Sequence, residues 1–96
     1  MTCKSCQPMD VEWPIESPDD LTKVLRFANE KLAAGTLIEP EEGRRTWSQR
    51  VHQLAESGPW PDSVECQLAC ASCGERFEFY ANTYHGRGGR WFRVED

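Results

Sequence analysis

Between residues 17 and 35 the apolar positions recur at spacings of three and four. Leu21, Val24, Leu25, Ala28 and Leu32 fall on one stripe, and Lys23, Arg26, Glu30 and Lys31 fall off it. Ser17-Pro18-Asp19-Asp20 supplies an N-cap hydroxyl, a proline suited to the first helical position and two acids favourable to the helix dipole. Gly35 is suited to close the helix, so the pattern predicts one over about residues 18–34. Thr46-Trp47-Ser48-Gln49 has the form of a capping box, and Trp47, Val51 and Leu54 are spaced i, i+4, i+7. A second helix is predicted over about 46–56, stopped by Gly58-Pro59. From Ser63 onward the period becomes two, which predicts strands near about 64–70, 76–84 and 90–94. Phe77, Phe79 and Ala81 alternate with Glu78, Tyr80 and Asn82, and the glycine-rich segment His85-Gly86-Arg87-Gly88-Gly89 reads as a hairpin turn into a last strand. Residues 7–16 follow neither period and read as an extended connector anchored by Trp13. The expected fold class is α+β, with two N-terminal helices packed on one face of a three-stranded antiparallel C-terminal sheet.

At 96 residues the chain suits a single domain, 1–96, and with four Trp and four Phe it is too aromatic to be a disordered segment. Its formal charge of −5 argues against binding driven by phosphate neutralisation and favours a basic or neutral partner. No apolar run approaches the roughly 18–20 residues of a membrane span. The first residues, Met1-Thr2-Cys3-Lys4-Ser5-Cys6, carry no apolar stretch of the secretory kind, so a cytoplasmic, reducing location is expected.

That location bears on the five cysteines, which fall as Cys3-x2-Cys6, Cys66 and Cys70-x2-Cys73-Gly74. A CxxC pair can fold over so that both thiolates reach one ion, and two pairs complete the tetrahedron of a structural zinc site. Cys3, Cys6, Cys70 and Cys73 are therefore the expected ligands of one Zn2+. A disulfide framework, a dithiol redox pair at Cys70 and Cys73, and a loose N-terminal tail are the competing readings. Cys66 lies about 13 Å along the strand from Cys70 and reads as a small buried apolar residue. Four thiolates fill the coordination sphere, so such a metal holds the fold and activates nothing. Two histidines and no nucleophile–base set in a convincing context point the same way, to a chain that is not an enzyme.

Two surfaces are candidates for partner contact. Residues 10–42 hold six more acids than bases, and Asp19, Asp20, Glu39, Glu41 and Glu42 form an acidic segment able to steer a basic partner, or simply a solvated face. Opposite the Phe77 and Phe79 column, the alternation assigns Arg76, Glu78, Tyr80, Asn82 and Tyr84 to one sheet face, with Trp91 and Arg93 on the neighbouring strand. Aromatics interleaved with arginine suit stacking on single-stranded bases and equally suit a protein hot spot, unless the face is covered and the aromatics are core.

Cys70-Ala71-Ser72-Cys73-Gly74, the aromatic strand from Phe77 to Tyr84 and His85-Gly86-x-Gly88-Gly89-x-Trp91 resemble the zinc-ribbon-like knuckle of small bacterial proteins, among them immunity proteins encoded beside polymorphic toxins. The resemblance covers about residues 64–94. It implies a cytoplasmic inhibitor that binds a basic toxin domain and blocks its active site; with the residue reading above, this makes a zinc-stabilised protein-binding module whose contact surface would be the acidic segment or the Tyr80, Tyr84 and Trp91 face. The alternative is a zinc-ribbon nucleic-acid-binding or transcription-associated protein using Arg76, Tyr80, Trp91 and Arg93.

Overall fold

A computed structural model describes residues 3, 4, 6–40, 49–83 and 88–94. Its elements in chain order are a 3-10 turn at Gln7–Met9, β1 (Trp13–Ile15), α1 (Pro18–Ala33), β2 (Leu37–Ile38), a second 3-10 turn at Val51–Gln53, β3 (Ser63–Cys70), β4 (Arg76–Asn82) and β5 (Gly88–Arg93). The five strands form one antiparallel sheet in the order β1-β5-β4-β3-β2. The class is α+β as expected, but the described residues hold one α-helix and five strands instead of two helices and three strands.

The helix forms where the pattern places it. Ser17 is extended and its hydroxyl accepts the Asp20 N–H at 3.2 Å, while the Asp20 carboxylate accepts the Glu16 N–H at 2.9 Å. At the other end Gly35, at φ 79°, donates to the Leu32 carbonyl and Thr36 donates to that of Lys31. These are the two bonds of a Schellman stop, and they turn the chain into β2. Leu21, Val24, Leu25 and Ala28 are buried against the sheet. The larger three are worth about 1.5–3 kcal/mol each.

The second predicted helix is a correction. Only Val51–Gln53 forms a helical turn among its described residues, Leu54 after it is extended, and Thr46, Trp47 and Ser48 lie outside the described residues. The donors a helix would use are committed elsewhere. Gln49 donates its N–H to the Glu65 carbonyl at 2.8 Å, accepts the Glu65 N–H on its side chain at 2.8 Å and donates its amide to Ser63. The Glu39 carboxylate takes the Val51 N–H at 2.9 Å. This segment seals the open side of β3, where an unpaired edge would otherwise be exposed.

Register decides which side chains meet. Phe79 pairs with Trp91, Phe77 with Arg93 and Cys66 with Phe79, so Val64, Cys66, Leu68, Phe77, Phe79 and Trp91 share the face beneath α1. Trp91 is fully buried and stacks on Phe77 and Phe79 at ring-centroid distances of 5.8 and 6.0 Å, with Phe27 of α1 edge-on at 5.7 Å. The assignment of Trp91 to the opposite face with Tyr80 is therefore overturned. Arg93 shares its parity, and the residues that face away with Tyr80 on β5 are Arg90 and Phe92.

Two glycines test this account. Nothing lies within 4 Å of a methyl added at Gly35, so Gly35→Ala meets only the left-handed backbone and is expected to cost about 1 kcal/mol. A methyl on Gly89 would overlap the Tyr80 carbonyl oxygen across the β4–β5 pair. Gly89→Ala is therefore expected to cost about 3 kcal/mol or more. Denaturant titration of both variants checks the order, and equal losses would contradict this register.

Candidate metal centre

The N-terminal residues fold into a hook. Cys6 and Gln7 both donate backbone N–H groups to the Cys3 carbonyl, at 3.2 and 2.8 Å, and Met9 donates to Cys6 at 2.8 Å. Pro8 is tolerated because it sits in the first part of the 3-10 turn, where no donor is needed. Met9 is buried, and its carbonyl accepts the Trp91 indole N–H at 3.0 Å. The hook is thereby fixed to β5.

The second knuckle is the β3–β4 turn. Gly74 donates to the Cys70 carbonyl at 2.9 Å and adopts φ 80°, a conformation that suits glycine. Cys70 donates to the Glu75 carbonyl, and the Ser72 N–H points at the Cys70 sulfur at 3.4 Å.

These two turns bring Cys3, Cys6, Cys70 and Cys73 together, with all four sulfurs within 4.8 Å of one another. The Cys3–Cys6 separation is 3.7 Å, and the cross-knuckle separations Cys3–Cys70 and Cys6–Cys73 are both 3.5 Å. Four sulfurs around one ion at about 2.3 Å would form a tetrahedron with edges of about 3.8 Å. The group therefore fits a metal ion. All five cysteines are free thiols, and Cys66 is buried beneath the helix, outside the group.

The crowding has a chemical consequence. The Cys6 backbone N–H holds the Cys3 thiol down to about 6, whereas burial pushes the Cys6 thiol up to about 12. Without a cation the low-dielectric site does not accommodate charge on both. A bound cation would remove that conflict, displacing the proton from Cys6.

The expected contact residues are scattered. Asp19 is exposed in the first turn of α1, but Asp20 is engaged in closing the helix start. Glu39 is half-buried and binds Val51 through its carboxylate and Arg50 through its carbonyl. β1 and β2 are opposite edges of the sheet and α1 of 16 residues, about 24 Å long, runs between them, so Asp19 in its first turn and Glu39 beyond its far end are separated along the fold. Described acids of the segment thus form no single patch, and Glu41, Glu42 and Tyr84 lie outside the described residues.

Tyr80 does face outward, 41% exposed, with Phe92 edge-on at 6.2 Å and Arg90 over the Phe92 ring at 4.5 Å. Phe92 and Arg90 were not singled out from the sequence, although strict alternation from a buried Trp91 would have placed both on this face. The Arg90 guanidinium pairs with Glu12 at 2.9 Å, and Arg93 pairs with both Asp10 and Glu75. A groove of 480 Å³ lies among Asp10, Val11, Glu12, Arg90, Phe92 and Arg93. Among the described residues no helix is long and apolar enough to cross a membrane. No protein-family model, curated protein or solved structure matches the chain.

Two outcomes are expected. If the four-sulfur group holds zinc, Cys6→Ser and Cys70→Ser, each removing a buried sulfur, should lose the stoichiometric metal and most of the roughly 10–16 kcal/mol such a site supplies. Cys66→Ala should keep the metal, and metal analysis with thermal unfolding separates the cases. Zinc uptake should also release protons, Cys6 among the sources, so affinity should fall from about pH 8 to about pH 6. Calorimetry in buffers of differing ionisation enthalpy reads both effects, and uptake without proton release would contradict thiol ligation.

Proposed function

We propose that this chain is a non-catalytic, zinc-stabilised protein-binding module, and in its most concrete form a cytoplasmic immunity-type inhibitor of a bacterial toxin enzyme. What carries the binding reading is the outward sheet face, where Tyr80, Phe92 and Arg90 are gathered on the side opposite α1. Tyrosine and arginine dominate protein hot spots, and an aromatic pair with a guanidinium stacked on it offers area at small cost in side-chain freedom. Exposed Val11, which lines a groove with Arg90 and Phe92, adds apolar surface at 49% accessibility. Zinc is the ion that best suits four thiolates from two CxxC turns, with iron the other tetrahedral option. With four sulfurs as ligands, no coordination position is left for substrate or water, which supports a structural role.

The toxin-inhibitor form rests on the resemblance of the Cys70–Gly74 knuckle and the strands after it, together with the net charge of −5. Contact through Glu39 and Asp20 finds less support than contact through Tyr80, since both carboxylates are engaged within the fold. The nucleic-acid alternative finds less support still. Trp91 is not accessible for stacking, and Arg93 is paired with two carboxylates.

The test is native mass spectrometry of the tagged chain captured from its own cells, with and without nuclease. One zinc and one stoichiometric protein partner are expected, unaffected by nuclease. The double variant Tyr80→Ala, Phe92→Ala should keep zinc and bind that partner at least about 30-fold more weakly, the scale of losing a hot spot. Nucleic acid that disappears on nuclease treatment, without a protein partner, would overturn the reading.

A further inference from the structure

The Arg93 guanidinium joins the two halves of the cysteine cluster. Its Nε donates to Asp10 at 2.9 Å and its Nη1 donates to Glu75 at 3.0 Å. Asp10 closes the hook, because its N–H donates to the Gln7 carbonyl, and it stands four residues after Cys6. Glu75 stands two residues after Cys73, and its carbonyl accepts the Cys70 N–H at 2.8 Å. One side chain therefore grips the hook on one side and the knuckle on the other, at a point where neither carboxylate is a metal ligand.

We propose that Arg93 is a latch that sets the Cys3–Cys6 hook against the Cys70–Cys73 knuckle before an ion arrives, making it a positioning residue of the metal site. An exposed ion pair alone contributes little. Here the arginine and Glu75 side chains are only 28% and 15% accessible, and one planar guanidinium serves two carboxylates. The effect falls on geometry and on kinetics. A thiolate that leaves the ion stays beside it while the hook remains docked, so rebinding outruns escape. If the hook swings away, half of the ligands leave together.

This inference rests on the metal reading. Zinc release from the intact chain is followed by transfer to an excess of chelating dye, for the wild type, Arg93→Met, Arg93→Lys and Arg26→Met. Arg93→Met should release zinc about ten-fold faster or more, as for other groups that orient metal ligands. Arg93→Lys, whose ammonium lacks the planar fork, should fall between it and the wild type. Arg26→Met removes an ion pair of 3.3 Å to Glu56, which touches neither knuckle, and should leave the rate unchanged. Amide exchange on the metal-free proteins gives a second readout, because the Cys6, Gln7, Met9 and Asp10 amides should exchange faster in Arg93→Met with global unfolding unaltered. Unchanged release with unchanged protection of those amides would overturn the latch alone. A wild type that takes up no zinc would overturn the metal reading and the latch's role with it.

Discussion

The Trp91 indole lies between sheet, helix and N-terminal hook, and it makes a different kind of contact with each. It stacks on Phe77 and Phe79 within the sheet, meets Phe27 of α1 edge to face, and donates its N–H to the buried Met9 carbonyl. Trp13 on the edge strand continues the series by meeting Phe27 edge to face at 5.5 Å. A single ring thus sets the distance of the helix above the sheet and the place where the hook lands. Its polar end is satisfied at the spot where an apolar substitute would leave a buried carbonyl without its donor.

The metal centre inherits its geometry from that placement. Cys70 is built into β3, so its position follows from the sheet; Cys3 and Cys6 belong to a short turn whose location depends on Met9 and Asp10 being held by β5. In physical terms the sheet donates half of the site rigidly and captures the other half through an indole and a guanidinium. An ion bound there would act on an arrangement already formed, and would relieve the crowding of the Cys3 and Cys6 thiols.

Much of this was legible in the sequence where a signal was local. Ser17, Pro18 and Gly35 mark α1 because capping chemistry acts within one turn, and the CxxC spacings mark the four sulfurs because each turn is self-contained. The two edge strands were not legible. Three residues with a central proline and two residues at Leu37–Ile38 are too short to display a period, and they are strands only because β5 and β3 offer them partners. The Thr46–Gln49 signal pointed to a helix, but Gln49 is drawn to the edge of β3, a contact with residues far along the chain. Trp91 was placed on the wrong face for a related reason. The face of β5 depends on its register with β4, and a shift of one residue reverses every side chain.

The hook and the knuckle also impose an order of events on the newborn chain. Their cysteines are 67 residues apart in each close cross-knuckle pair. During synthesis Cys3 and Cys6 emerge first and must wait while helix, edge strands and β3 are made. The Cys70–Cys73 turn is local and can take hold of an ion as soon as it appears, but the full set of ligands requires the hook to return, and the hook's landing place is β5. A chain interrupted before Trp91 and Arg93 would carry all four sulfurs and still lack the surface that gathers them. Stable metal retention would thus mark a chain in which β5 has been made and has docked.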